Sequence, residues 1–246
     1  MCIIVYKPAN TPLFKKRLKA CYSNNEDGCG FVYPSDKKNN LVIERGVFTF
    51  REFWRKYREI PKDKPVLLHF RIQTSGDINE NNCHPFLIDK GHALAHNGNI
   101  ESKLNEKLTE KSDTATFVEK VLQPLFKDKK LKKGKFWTTE AFEWLLEESV
   151  GSNNKMVIMD ADGFVKIYNE KQGEWDEKVW YSNKSFKQNR KKTSSKKSET
   201  IVENGFTKVK TQTGENHSRF TYHQDGTKKE ESPYTGESGV DLAELF

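Results

Sequence analysis

The sequence predicts an α+β domain over residues 2–182, then a basic linker over 183–200 and a polar tail over 201–246. Three observations carry this. Short β-branched and aromatic runs alternate with longer amphipathic stretches from Cys2 to Tyr181. The last apolar runs, 155–159, 164–168 and 179–181, have strand length, and the turn Asp160-Ala161-Asp162-Gly163 joins the first two as a hairpin. Beyond Tyr181 the apolar periodicity stops, and such a segment buries too little to offset an ordering entropy of about 1–2 kcal/mol per residue.

Each element has a local reason. Residues 2–6 are a short apolar β-branched run, a buried strand. Thr11-Pro12 opens a helix with Leu13, Phe14, Leu18 and Cys21 on one face. Asn24-Asn25-Glu26-Asp27-Gly28 is a turn, with a strand following through Tyr33 and another over 41–44. Thr49 caps a helix that sets Phe50, Phe53, Trp54 and Tyr57 on one side. Residues 65–72 and 93–96 read as strands. Ser112 caps a helix carrying Phe117, Val118, Val121 and Leu122, and Thr138 or Thr139 opens one carrying Phe142, Leu145 and Leu146.

The chain has 246 residues and a formal net charge of +7. That charge is local. Residues 183–200 carry +6 and residues 127–135 carry +5, so these segments hold +11 and the remainder is −4. Like-charge blocks of this kind read as a solvated tether and a solvated loop. Only Phe186 interleaves the 183–200 block, so the stacking platform for single-strand binding is missing and a nucleic-acid partner is not expected. No run approaches the roughly 18 apolar residues of a membrane-spanning helix, and no secretory signal is visible, so the expectation is a soluble cytoplasmic protein without a membrane partner. Four cysteines without a C-x-x-C pair do not make a disulfide framework; Cys21, Cys29 and Cys83 read as buried small hydrophobes. Lys exceeds Arg and Asn is frequent, as in an AT-rich coding genome such as a bacteriophage's. The last residues, 240–246, are acidic and amphipathic, and suit a docking peptide for a macromolecular partner.

Cys2 follows the initiator Met. Removal of Met1 would leave one residue with a thiol, reference pKa about 8.5, and a free α-amine, about 7.7–8.0. Nucleophile and base would then share a residue. Downstream, in order, come Asn25-Glu26-Asp27-Gly28-Cys29-Gly30, His69-Phe70-Arg71-Ile72-Gln73-Thr74-Ser75-Gly76, Asn82-Cys83-His84-Pro85-Phe86, His96-Asn97-Gly98-Asn99-Ile100 and Ser112-Asp113-Thr114.

With Cys2, these segments resemble the class II glutamine amidotransferase glutaminase domain, an N-terminal-nucleophile hydrolase, and its compact stand-alone members most of all. The family pattern is Met-Cys, N-x-D-G-x-G, H-x-R-x-x-T-x-G, N-x-H-P-F, H-N-G-x-I and S-D-T, and the resemblance covers about residues 2–182. It implies a four-layer αββα sandwich of two mainly antiparallel sheets. It also implies roles. Cys2 is the nucleophile. The Asn97 side-chain amide and the Gly98 N–H form the oxyanion hole. Arg71 clamps the substrate α-carboxylate, where a planar guanidinium suits bidentate recognition. Asp113 pairs with the α-ammonium, Thr74 lies near the substrate backbone groups, Ser75 is a further substrate-binding candidate, and His84 shapes the pocket wall. Alone, Asn97-Gly98 would read as a hairpin turn and Asp113 as part of a helix cap.

This sequence departs from the family pattern at three places. Gln73 stands where many members have Ala, Ser75 where others have His, and Ala115 where Glu is common. These bear on which γ-glutamyl compound is accepted. A metal reading is set aside: on a strand His92 and His96 would stand about 13 Å apart, too far for one zinc. No metal and no cofactor is expected.

The expected function is a cysteine amidohydrolase acting on glutamine or a small γ-glutamyl conjugate through a thioester on Cys2. Ammonia would pass to a partner synthetase in trans or simply be released. The alternative is a catalytically dispensable adaptor that docks a macromolecule through its basic linker and C-terminal peptide.

Overall fold

The computed structural model describes residues 2–74, 76–100, 111–131, 134–187, 199–203 and 206–210. Ser75, residues 132–133 of the first lysine run, residues 188–198 of the linker and the 240–246 peptide lie outside the described residues. The chain divides into two compact units, Met1–Lys191 and Lys192–Phe246.

The first unit contains two sheets. One joins β1 (Ile3–Lys7), β2 (Cys29–Pro34), β3 (Leu41–Val47), β4 (Val66–Phe70), β9 (Glu174–Asp176) and β10 (Val179–Tyr181), in the order β3-β2-β4-β1-β10-β9. The other runs β5 (Phe86–Asp89), β6 (His92–Asn97), β7 (Lys155–Asp160), β8 (Val165–Tyr168) in sequence order. Every strand pair is antiparallel. Among the described residues five α-helices accompany them: α1 (Lys15–Asn24), α2 (Phe50–Tyr57), α3 (Asp113–Phe117), α4 (Gln123–Lys127) and α5 (Glu140–Val150). A widened turn, Val118–Leu122, joins α3 to α4.

Strand alternation builds the layers, because successive side chains point to opposite faces. Ile4, Val32 and Leu67 of the first sheet meet Ala93, Ala95, Val157 and Met159 of the second in one buried cluster between the sheets. Their sequence neighbours face outward. Ile3, Val5, Leu68 and Phe70 pack with Leu18 and Cys21 of α1 and Phe53 of α2. Leu94, Met156 and Ile158 pack with Phe117, Leu122, Phe126, Phe142 and Leu146 of the other helices. Helices, sheet, sheet, helices is the αββα order. Full burial of each such side chain contributes about 1.5–3 kcal/mol.

The caps act where the sequence places them. Thr49 accepts from Glu52 N, Ser112 from Ala115 N and Thr139 from Phe142 N. Phe50, Phe53, Trp54 and Tyr57 share one apolar cluster. Cys21, Cys29 and Cys83 are buried and free.

Several details differ from expectation. The first helix begins at Lys15, and Phe14 is its N-cap, 58% exposed, so Thr11-Pro12 leads into the helix without forming its first turn. Leu145 is 56% exposed, because the stripe of α5 narrows to Phe142, Leu146 and Val150. Strands β5 and β9 are additional. The β9–β10 connection, Glu177-Lys178, takes positive φ at both residues (50° and 66°) without a Gly or Asn to announce it. The folded unit also continues past Ser182. Lys184–Lys187 forms a 3₁₀ turn whose Phe186 is 1% exposed and stacks on Tyr181 at 3.7 Å. The start of the expected tether is therefore part of the core.

In the second unit, β11 (Glu199–Glu203) pairs antiparallel with β12 (Phe206–Lys210). This hairpin lies where the sequence was read as linker and unstructured tail. Its signal, Asn204-Gly205 between two β-branched runs, is in the sequence.

Candidate active site

Cys2 immediately precedes β1, which lies between β4 and β10 in the first sheet. Its Sγ lies 3.3 Å from Ile72 O and accepts from Ile72 N at 3.4 Å. Burial pushes the thiol pKa up, and the Ile72 backbone contact and the nearby Arg71 charge act in the opposite direction. At neutral pH the sulfur is therefore a thiol that needs a base.

Arg71 is buried beside Ile72. Its guanidinium donates to Asp77 O at 2.9 Å and to Gly76 O at 3.1 Å. The Asn25–Gly28 turn laces onto the same segment: Asp27 N donates to Arg71 O, Arg71 N to Gly28 O, and Gln73 N to Asp27 Oδ2 at 2.9 Å. Gly28 has φ +120°, and a Cβ there would lie 2.5 Å from Cys83 Sγ, so both conformation and space require glycine. Buried Asn82 ties this loop to α3, donating to Asp77 O at 3.1 Å and accepting from Ser112 N at 2.7 Å. Thr74 is exposed.

Asn97 ends β6 in the second sheet, 1% exposed. Its Nδ2 donates to Ser182 Oγ at 2.7 Å, and the same oxygen accepts from Ile4 N at 2.8 Å. Asn97 is thereby joined to the strand that carries Cys2. Gly98 follows in a space with no room for a side chain, since a Cβ would lie 1.9 Å from Asn154 Oδ1. Asp113 opens α3 behind its cap, Ser112; its Oδ2 accepts from Ile100 N at 2.7 Å and its Oδ1 from Thr114 N at 2.7 Å. The Thr114 hydroxyl lies 3.3 Å from the same Oδ1.

His84 lies in a group of three buried imidazoles. Its ring centroid is 4.1 Å from that of His69 and 6.3 Å from that of His96. His69 Nε2 donates to His96 O at 3.1 Å. His96 Nε2 faces Asn154 Oδ1 at 2.7 Å and must carry the proton, because that oxygen only accepts; Nδ1 then accepts from the Thr114 hydroxyl at 2.7 Å. Desolvation lowers all three pKa values, that of His69 to about 3. The charges felt by His84 are His69, His96, Arg71 and Arg45, all of which lower it further. These rings are neutral packing and orienting groups. His92, at the other end of β6, bonds Asp89 instead.

The fold thus links Cys2 to the Arg71–Ile72 segment and Asn97 to Ile4 through Ser182, with Gly98 next to Asn97 and Asp113 attached through Asn82 and Ser112. The sequence reading overlooked Ser182, Asn183, Asn154 and Asn82. Asn82 lies in a motif already noted, but nothing in the sequence marks Ser182 or Asn183, which come after a strand and before a lysine run.

No family model and no curated protein matches the chain by sequence. Among solved structures it is similar to a glutamine phosphoribosylpyrophosphate (PRPP) amidotransferase from B. subtilis complexed with ADP and GMP. The identity is 16% and the TM-score 0.46, covering 74% of this chain and 41% of that one. It is also similar to an allosteric regulatory enzyme of purine biosynthesis, at 17% identity and TM-score 0.44, again with 74% and 41% covered. A third is a glutamine aminotransferase class-II domain protein from Silicibacter pomeroyi, at 14% identity and TM-score 0.37, covering 74% of this chain and 87% of that one. The chain thus spans less than half the length of the first two. Among the described residues no helix is long and apolar enough to cross a membrane.

Proposed function

We propose that the chain is a glutamine amidotransferase-type cysteine amidohydrolase. The observation that carries the reading is the attachment of Asn97, through Ser182, to the strand that directly follows Cys2. Nucleophile and amide donor come from different sheets and are joined by buried hydrogen bonds.

With Met1 removed, the α-amine of Cys2 takes the thiol proton. A base is needed because burial raises the thiol pKa. Sγ attacks the γ-amide carbon, and the oxyanion is held by Asn97 Nδ2 and Gly98 N. Loss of one such donor costs about 10²–10³ in kcat. The tetrahedral centre collapses, the C–N bond breaks, and ammonia or an amine leaves with the returned proton. Water then hydrolyses the thioester. Arg71 receives the substrate α-carboxylate by exchanging its backbone carbonyl partners, and Asp113 receives the α-ammonium. Ammonia passes to a synthetase supplied in trans or is released.

A hydrolysis panel of glutamine and γ-glutamyl amides tests this, with wild type and Cys2→Ala and with mass spectrometry of the N-terminus. The expected result is a mature chain beginning at Cys2 whose turnover disappears in the variant. Retained Met1 in an active preparation, or turnover indifferent to Cys2→Ala, would sink the reading. Turnover of free glutamine that rises only with a synthetase partner supports the amidotransferase version; turnover of one conjugate alone supports the hydrolase.

A further inference from the structure

Two adjacent residues beyond β10 hold both halves of the candidate site. Ser182 Oγ accepts from Asn97 Nδ2 at 2.7 Å and from Ile4 N at 2.8 Å, and Ser182 N donates to Ile4 O at 3.0 Å. Asn183 Nδ2 donates to Cys2 O at 2.7 Å, while its Oδ1 accepts from Ser185 N at 2.9 Å. Ser182 is 1% exposed. One side chain grips the amide of the second sheet, and its neighbour grips the backbone of the nucleophile.

We infer that Ser182 and Asn183 are positioning residues that set the thiol and the oxyanion donor relative to each other. The inference rests on the reading under Proposed function and adds to it a device that the motifs do not contain. Rotation about the last torsion of Asn is broad, with no steep staggered wells. Nδ2 carries two hydrogens. Pinning one on Ser182 fixes the amide plane and so gives the second N–H one direction. A donor fixed before the reaction stabilises developing charge without reorganising, and small misplacements of such groups are costly. The oxyanion exists only in the transition state, so the effect belongs to kcat rather than to substrate binding. Ser185 holds Asn183 in turn, and Asn24 Nδ2 donates to Ser185 O at 2.7 Å, so the clamp is braced against the end of α1.

The test measures steady-state glutamine hydrolysis together with the rate of Cys2 alkylation by iodoacetamide. Alkylation reports thiol reactivity and builds no oxyanion; Cys21, Cys29 and Cys83 are buried. Ser182→Ala should lower kcat about 10- to 100-fold. It should leave KM within about twofold and the alkylation rate unchanged, which also reports an intact fold. Ser182→Thr, which keeps the hydroxyl, should recover most of the loss. Asn183→Ala, which releases Cys2 instead, should lower kcat and change the alkylation rate. An active wild type whose Ser182→Ala variant keeps its kcat, or loses kcat and alkylation in step, overturns this inference alone. A wild type inert toward glutamine and γ-glutamyl amides overturns the functional reading and this inference with it.

Discussion

Asn154 Oδ1 occupies the space that a side chain on Gly98 would need: a Cβ at residue 98 would lie 1.9 Å from it. The same oxygen receives His96 Nε2 at 2.7 Å, and the Asn154 Nδ2 donates to Val150 O at the end of α5. Gly98, His96 and the C-terminus of α5 are therefore one packed unit behind Asn97.

Gly98→Ala should displace Asn154 and break its bond to His96. Overpacking of this kind costs about 1–3 kcal/mol. The urea midpoint should fall accordingly, and amide hydrolysis should fall with it, because the Gly98 N–H shifts. A variant with wild-type midpoint and turnover would show that residue 98 tolerates a side chain.

Acid should destabilise the domain through its buried imidazoles. In the unfolded chain His69, His84 and His96 titrate near 6.5. In the folded chain burial holds them lower, His69 at about 3. As pH falls below about 6.5 the unfolded chain binds protons that the folded chain refuses, so stability declines. The share of each ring is up to about 1.4 kcal/mol per pH unit. Above pH 7 these rings add no pH dependence. Urea unfolding at pH 7, 6 and 5 reads the slope, and His84→Phe should flatten it by about one ring's share.

Asn82 should matter to both stability and substrate affinity. It joins the Asp77 carbonyl, which also receives the Arg71 guanidinium, to the N-cap of α3. Asn82→Ala strands the buried Ser112 N–H, at a cost of about 1–3 kcal/mol. It also loosens the loop around Arg71, so KM for glutamine should rise. An unchanged KM with lowered stability would restrict Asn82 to a structural role.

Phe186→Ala should cost about 3–5 kcal/mol as an aromatic removed from a closed core. The ring stacks on Tyr181, and the Arg17 guanidinium lies 5.1 Å from its centroid. A chain ending at Ser182 should melt well below one ending at Lys191. Equal melting temperatures would return the boundary to residue 182.

Elements with a short-range cause were legible. Thr49, Ser112 and Thr139 bond donors three residues away, and the strands alternate with period two. The β9–β10 turn was not legible, because Glu177 and Lys178 adopt positive φ against their own preference, held by the pairing of Val179 with Asp176. The hairpin in the second unit carried a plain Asn-Gly signal that its polar surroundings obscured. Among the candidate site residues, Cys2, Arg71, Asn97, Gly98 and Asp113 stand out by the order of their motifs along the chain, whereas Thr74 is exposed and Ser75 lies outside the described residues.

The sequence by itself determined the alternation of apolar faces and the caps, since these depend on neighbours within one turn or one strand. Only the tertiary structure decided that Ser182 would hold Asn97 across 85 positions and that Asn183 would hold Cys2 across 181. Those bonds have no period in the chain. They form because the antiparallel order β4-β1-β10 sets the start of β1 beside the end of β10, and because a buried hydroxyl such as that of Ser182 needs its partners within the protein.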